Sequence, residues 1–289
     1  NNGDEDEQDG RVARRVAGLL RENKDKPFFI AAGLHKPHLP WVAPKKYFEM
    51  YPPSAIQLPK ESPEDLKNKP AEALRYNRHD ENLTEEGKRQ AVAAYYASVS
   101  FMDAQVGVLL DAMDELKLWD STVVVFFGDH GFHLGEHGGL WRKLTLFEES
   151  ARAPLIVHAP DKGEGKTSNR LVEFVDFYPT LTELCGLPAP PGMEGTSFVP
   201  LLTDQTRPWK KAVFIQVPRG RNVRTETHSY TEWDEGRAVE LYDHRFDPRE
   251  YRNLADDPRH TGVRQEMQEL LRGGWQAVVP VARPRAARP

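Results

Sequence analysis

The chain has 289 residues, 39% of them hydrophobic and 10% aromatic, with a formal net charge of -5. That is the composition of a globular protein, with room for one large α/β domain and a smaller piece. The acidic balance speaks against a nucleic-acid surface, which needs a concentrated basic excess, and no apolar run reaches the ~20 residues that span a bilayer.

In chain order, Asp9 is placed to cap a helix whose Val12, Val16, Leu19 and Leu20 recur at helical spacing. Residues 27–32, Pro-Phe-Phe-Ile-Ala-Ala, form a short apolar run with the pattern of a buried strand. The run empties into His35-Lys36-Pro37-His38-Leu39-Pro40, where the prolines forbid regular structure. Residues 52–82 are rich in Pro, Lys, Glu and Asp and read as a long surface excursion, a type of loop that often borders binding sites. From Thr84 a long helix is expected, because Val92, Tyr95, Tyr96, Val99, Met102, Val106, Leu109, Leu110 and Met113 form one apolar stripe. The two tyrosines read as packing residues.

Residues 122–127, β-branched and aromatic, give the clearest strand, ending at Gly128-Asp129-His130-Gly131. A further strand is expected at 154–158 and a helix at 179–185, with proline in its first turn. Cys185, the one cysteine, ends that helix and reads as structural; no disulfide can form within the chain. Strand-like runs at 212–217 and 238–242 and a helix at 262–275 predict a smaller C-terminal subdomain of antiparallel sheet plus helix. The expected division is therefore 1–203, 204–280 and a disordered Arg-, Pro- and Ala-rich tail at 281–289.

Ligands of open α/β sheets gather beyond the carboxyl ends of strands. Here one strand end supplies His35, Lys36 and His38, and the other supplies Asp129 and His130, followed by His133, Glu136, His137 and Lys143. A carboxylate at Asp129 either meets a hard cation such as calcium or magnesium or caps a turn through backbone N–H groups. His133, Glu136 and His137 suggest zinc, but they lack the His-Glu-x-x-His order and their glycines argue against a helix, so zinc is the minor reading.

The run Gly128-Asp129-His130-Gly131-Phe132-His133-Leu134-Gly135-Glu136-His137-Gly138, followed by Leu140-Trp141-Arg142-Lys143-Leu144-Thr145-Leu146-Phe147-Glu148-Glu149, resembles a stretch of the type I, formylglycine-dependent sulfatase family. Residues 28–40, ending in His35-Lys36-Pro37-His38-Leu39-Pro40, look like the matching stretch of its iduronate-2-sulfatase branch. Weaker likenesses at 176–181, 195–202 and 240–254 follow in the family's order. The resemblance implies part of an alkaline-phosphatase-like α/β mixed-sheet sandwich, here as its C-terminal portion. It also implies hydrolysis of sulfate esters at a site bearing Ca2+, with Mg2+ as the alternative. By position, Asp129 would be a metal ligand and His130 a ligand or close neighbour. His38 would contact the sulfate and act as acid for the leaving alcohol, and Lys143 would hold a sulfate oxygen. His35 and His137 would support these residues or bind substrate.

The implied partner is a sulfated sugar or polysaccharide, such as a 2-O-sulfated uronate, in a periplasmic, extracellular or lysosomal setting. The family's nucleophile motif, C-x-P-x-R, does not occur, nor does its acidic metal-binding pair near the first strand. The expectation is that this chain alone is inactive and needs an N-terminal segment that carries the nucleophile. The alternatives are a phosphodiesterase or phosphonate monoester hydrolase of the same superfamily, or a catalytically silent fragment or subunit.

Overall fold

The computed structural model describes residues 2–60, 62–74, 83–162 and 165–279. The predicted tail at 281–289 and residues 75–82 of the long loop lie outside them. The chain divides into two compact units, residues 1–60 with 80–122 and residues 61–79 with 123–289. No helix among the described residues is long and apolar enough to cross a membrane.

The first unit is built on helices α1 (Gln8–Asn23) and α2 (Glu85–Leu116). Thr84 caps α2 by accepting from the Gly87 N–H, and Lys117 ends it in the left-handed region at φ 55°. α1 buries Ala13, Val16, Ala17 and Leu20, and its two alanines let it lie close against α2. The predicted stripe on α2 is buried at Val92 and Met113, joined by Ala97 and Phe101. Tyr95 and Tyr96 pack edge-on against Trp41 and Tyr51, the packing role expected of them.

Two expectations for this unit are corrected. Asp9 is not the cap but a buried residue in the first turn of α1. Its carboxylate accepts the backbone N–H groups of His35 (2.8 Å) and Lys36 (2.9 Å). Residues 27–32 join no ladder, and Phe29 stays 86% exposed. An apolar run specifies a strand only if another edge accepts its hydrogen bonds, and no described residue does so. Asp9→Ala should lower stability by about 2–3 kcal/mol, because two backbone donors lose a charged acceptor. Denaturant melts would check this, and a change below about 0.5 kcal/mol would refute the role.

In the second unit both predicted strands form. β1 (Val124–Phe127) pairs antiparallel with β2 (Leu155–His158), Val124 opposite His158 and Phe127 opposite Leu155. The pair is less buried than its apolar sequence predicts, since Phe127 and Ile156 are largely exposed. Helix α3 (Phe177–Leu184) follows, as expected. The antiparallel sheet expected near the C-terminus is a four-stranded meander in the order β3 (Val213–Val217), β4 (Gly220–Arg224), β5 (His228–Trp233) and β6 (Ala238–Asp243). Helix α4 (Thr261–Gly273) lays Met267 and Leu271 against Val223, Tyr230 and Leu241. A second core gathers Leu140, Leu146 and Phe147 with Val217, Trp233 and Tyr242. That core anchors the loop that leaves β1.

Candidate active-site loops

In the first unit, the segment after the apolar run is held from below by Asp9. His35 and His38 are exposed, with ring centroids 5.0 Å apart. His38 donates from Nδ1 to the Leu39 carbonyl at 2.7 Å, which leaves Nε2 to face solvent chemistry. Lys36 Nζ donates to the Pro40 carbonyl at 2.6 Å, so it folds back onto its own loop.

In the second unit, the chain leaves β1 and doubles back. Gly131 N–H donates to the Ser150 carbonyl (2.9 Å), His133 N–H to Arg142 (2.8 Å) and Gly135 N–H to Leu140 (2.8 Å). These bonds place the residues just before Lys143 beside those that follow Asp129 and His130. Gly131 is needed for this path: a Cβ there would lie 1.9 Å from the Glu149 carbonyl oxygen. Gly131→Ala should therefore cost about 1–3 kcal/mol through overpacking and displace the Asp129–His130 turn. Thermal melts check the first effect, and a melt matching wild type would refute the close approach.

Asp129 and His130 form a prepared donor pair. His130 donates from Nδ1 to the Gly131 carbonyl at 2.7 Å, leaving Nε2 as a lone-pair donor 3.4 Å from Asp129 Oδ2. The Asp129 side chain is 84% exposed, so its oxygens are open to an incoming cation. The Asp129 oxygens are the kind a hard divalent ion takes, and His130 sets an open nitrogen beside them. Lys143 is half-buried and forms no ion pair with any described residue.

Behind this turn lies a buried ionic cluster. His137 sits in the left-handed region (φ 51°, ψ 52°), and its ring stacks on Phe147 at 4.1 Å. Its Nδ1 meets Asp65 Oδ1 at 2.9 Å and its Nε2 meets Glu149 Oε2 at 3.2 Å. Lys69, with a fully buried side chain, adds a 2.8 Å contact to Asp65. Burial opposes charge on His137, but the hydrogen bonds to Asp65 and Glu149 outweigh it and push its pKa up to about 9. His133, also fully buried, is pulled down to about 3 by desolvation.

The structure thus pairs His35 with His38 and Asp129 with His130, and it draws His137 inward to a supporting position. The sequence reading missed Asp65 and Lys69, which it left in a solvated loop. The available signal was an Asp and a Lys four residues apart, flanking Leu66.

Similarity to known proteins agrees with this architecture. The model of the sulfatase family matches residues 1–187, and that of the C-terminal region of N-sulphoglucosamine sulphohydrolase matches residues 135–276. A sulfatase of Formosa agariphila is 32% identical over 272 residues, covering 91% of this chain and 53% of that protein. Human iduronate 2-sulfatase is 35% identical over 231 residues, covering 66% of this chain and 42% of that protein. The chain spans about half the length of the curated relatives it matches. A solved phosphonate monoester hydrolase of Silicibacter pomeroyi superposes with a TM-score of 0.84 at 23% identity, covering 96% of this chain and 62% of that one. The fold is accordingly the alkaline-phosphatase-like α/β architecture expected from the sequence. With the family match running over more than half its length, the chain belongs to the sulfatase family.

Proposed function

We propose that this chain supplies part of the active site of a sulfuric ester hydrolase acting on a sulfated sugar. The observation that carries the reading is the Asp129–His130 pair, its tautomer set by Gly131, on a loop folded back to present Lys143. Asp129 and His130 would hold Ca2+ or Mg2+, which when bound draws electron density from the sulfate oxygens. The Lys143 ammonium would hold a non-bridging oxygen and stabilise charge as the ester bond lengthens. His38, with Nε2 free, is assigned as the acid that protonates the departing alcohol. His35, its ring tilted by 41° and 5.0 Å away, helps fix the His38 ring. The name of the human iduronate 2-sulfatase among the relatives supports a sulfated uronate or related polysaccharide.

None of the 289 residues stands in the C-x-P-x-R motif that makes the family's nucleophile. Turnover then requires a further segment, joined or complementing, and the chain by itself should release no sulfate. A second reading, phosphonate monoester or phosphodiester hydrolysis, is favoured by the 0.84 superposition. Assaying the protein that carries the nucleophile segment with 4-nitrophenyl sulfate, a phosphonate monoester and a phosphodiester separates the two. Preference for the sulfate ester supports the first reading, and faster turnover of either phosphorus ester replaces it with the second.

A further inference from the structure

We propose that His133, His137 and Glu149 form a binding site for a borderline-soft divalent metal, with zinc the ion that suits it best. One ligand atom from each lies within 4.8 Å of the others. They come from different places: His133 and His137 from the glycine-rich turn, Glu149 from the one-turn helix Glu148–Ala151. No helical spacing brings them together. The left-handed backbone at His137 and the close approach at Gly131 do so instead.

Two features point to a ligand and not merely to a packed core. His133 is fully buried, yet its Nδ1 has no hydrogen-bond partner among the described residues. A buried ring nitrogen left without a partner is costly, and a metal would use its lone pair. The remaining nitrogens are also arranged as outer-sphere groups of metal sites are. His133 Nε2 meets Thr145 Oγ1 at 2.7 Å, and His137 Nδ1 meets the Asp65 carboxylate at 2.9 Å. Each imidazole thus has one nitrogen held by a residue outside the ligand set, which leaves His133 Nδ1 and His137 Nε2 for a metal. The rings stand at 75° to one another, 5.6 Å apart.

Glu136 lies beside the cluster, with Oε2 3.8 Å from His133 Nδ1 and accepting the Leu134 N–H, but is not one of the three ligands. Two imidazoles and one carboxylate, with water in the fourth position, suit tetrahedral zinc, with bonds of about 2.0–2.2 Å. Calcium would need six to eight oxygens. Without the metal, His137 donates from Nδ1 to Asp65 and from Nε2 to Glu149, and zinc would displace the Nε2 proton. Phe147 walls one side of the cluster, stacked on His137 and edge-on to His133.

The test is zinc uptake by the chelator-treated chain, measured by competition with a chromophoric chelator. Wild type should bind one Zn2+ per chain, and His133→Ala should bind at least ~100-fold more weakly, having lost a ligand. Asp65→Asn should weaken binding about 10- to 100-fold through the outer sphere. His133 carries no charge and makes one side-chain hydrogen bond, so its variant is the mildest available. Should it nevertheless fail to fold, the wild-type melting temperature decides. A rise with added Zn2+, absent with equal Ca2+, supports the site. No uptake by wild type, equal uptake by wild type and His133→Ala, or equal stabilisation by Ca2+ would overturn it.

Discussion

Replacing His137 by alanine will lower the stability of the metal-free protein by about 3–5 kcal/mol, because breaking a buried ion pair strands its partners. The groups facing His137 are Asp65, Glu149, Lys69 and the neutral His133. Without the imidazolium, two carboxylates on one side face a single ammonium. The pH dependence carries a second signature. His137 has a folded pKa of about 9 against an ordinary 6.5. Its contribution is therefore complete below 6.5 and is lost as pH rises through 9. At about 1.36 kcal/mol per pH unit, the loss over that window comes to about 3 kcal/mol. His133 acts in the opposite sense. Its pKa falls to about 3 in the fold, so stability is lost as pH drops from 6.5 toward 3. Together these histidines place a stability maximum near neutral pH. Denaturant melts between pH 6 and 9.5 should show the alkaline loss in wild type and a much flatter profile in His137→Ala. A variant that keeps the wild-type slope would show that His137 is not the charged member.

In the protein that carries the nucleophile segment, Lys143→Ala should lower kcat/KM for an aryl sulfate by about 100- to 1,000-fold, the scale of losing one electrostatic donor. His38→Ala should lower it by about 100-fold or more for poor leaving groups. Its effect should shrink for 4-nitrophenyl sulfate, whose leaving oxygen needs little proton assistance. That leaving-group dependence separates an acid from a residue that only shapes the loop. Both side chains stand outside the buried cores, so melting temperatures should stay close to wild type. Equal losses on both substrates would remove His38 from the acid role, and unchanged turnover in Lys143→Ala would remove Lys143 from the site.

The legibility of this fold in its sequence follows the kind of interaction involved. Helical periodicity located α1 and α2, a proline in the first turn marked α3, and runs of apolar and β-branched residues marked β1 and β2. None of these signals marks β4 and β5, one face of which is polar. Asn222 there donates across the ladder to Ser229 (2.9 Å) and Thr231 (2.8 Å), all three buried. No apolar alternation records such a pairing. Residues 27–32 show the reverse case, an apolar run with a strand's composition but no partner edge among the described residues. The site divides in the same way. Asp129, His130, Lys143 and His38 stand out in the sequence because they sit in compact motifs at the ends of apolar runs. Asp65 lies 72 residues from His137 in sequence, inside a charged, proline-rich segment that looks solvated. Only tertiary contact shows that it is buried. Asp9 was noticed for the wrong reason: its position suggested a helix cap, and its carboxylate in fact holds the His35–Lys36 backbone.

In the proposed function, Asp129 and the loop behind it are the chain's contribution to sulfate-ester hydrolysis. Asp129 is the residue to change, since its side chain is 84% exposed and a change there should leave the fold intact. The measurement is sulfate release from an aryl sulfate by the protein with its nucleophile segment, wild type against Asp129→Asn, in saturating Ca2+. Turnover should fall at least ~100-fold, with the melting temperature unchanged. Turnover equal to wild type would remove Asp129 from the site.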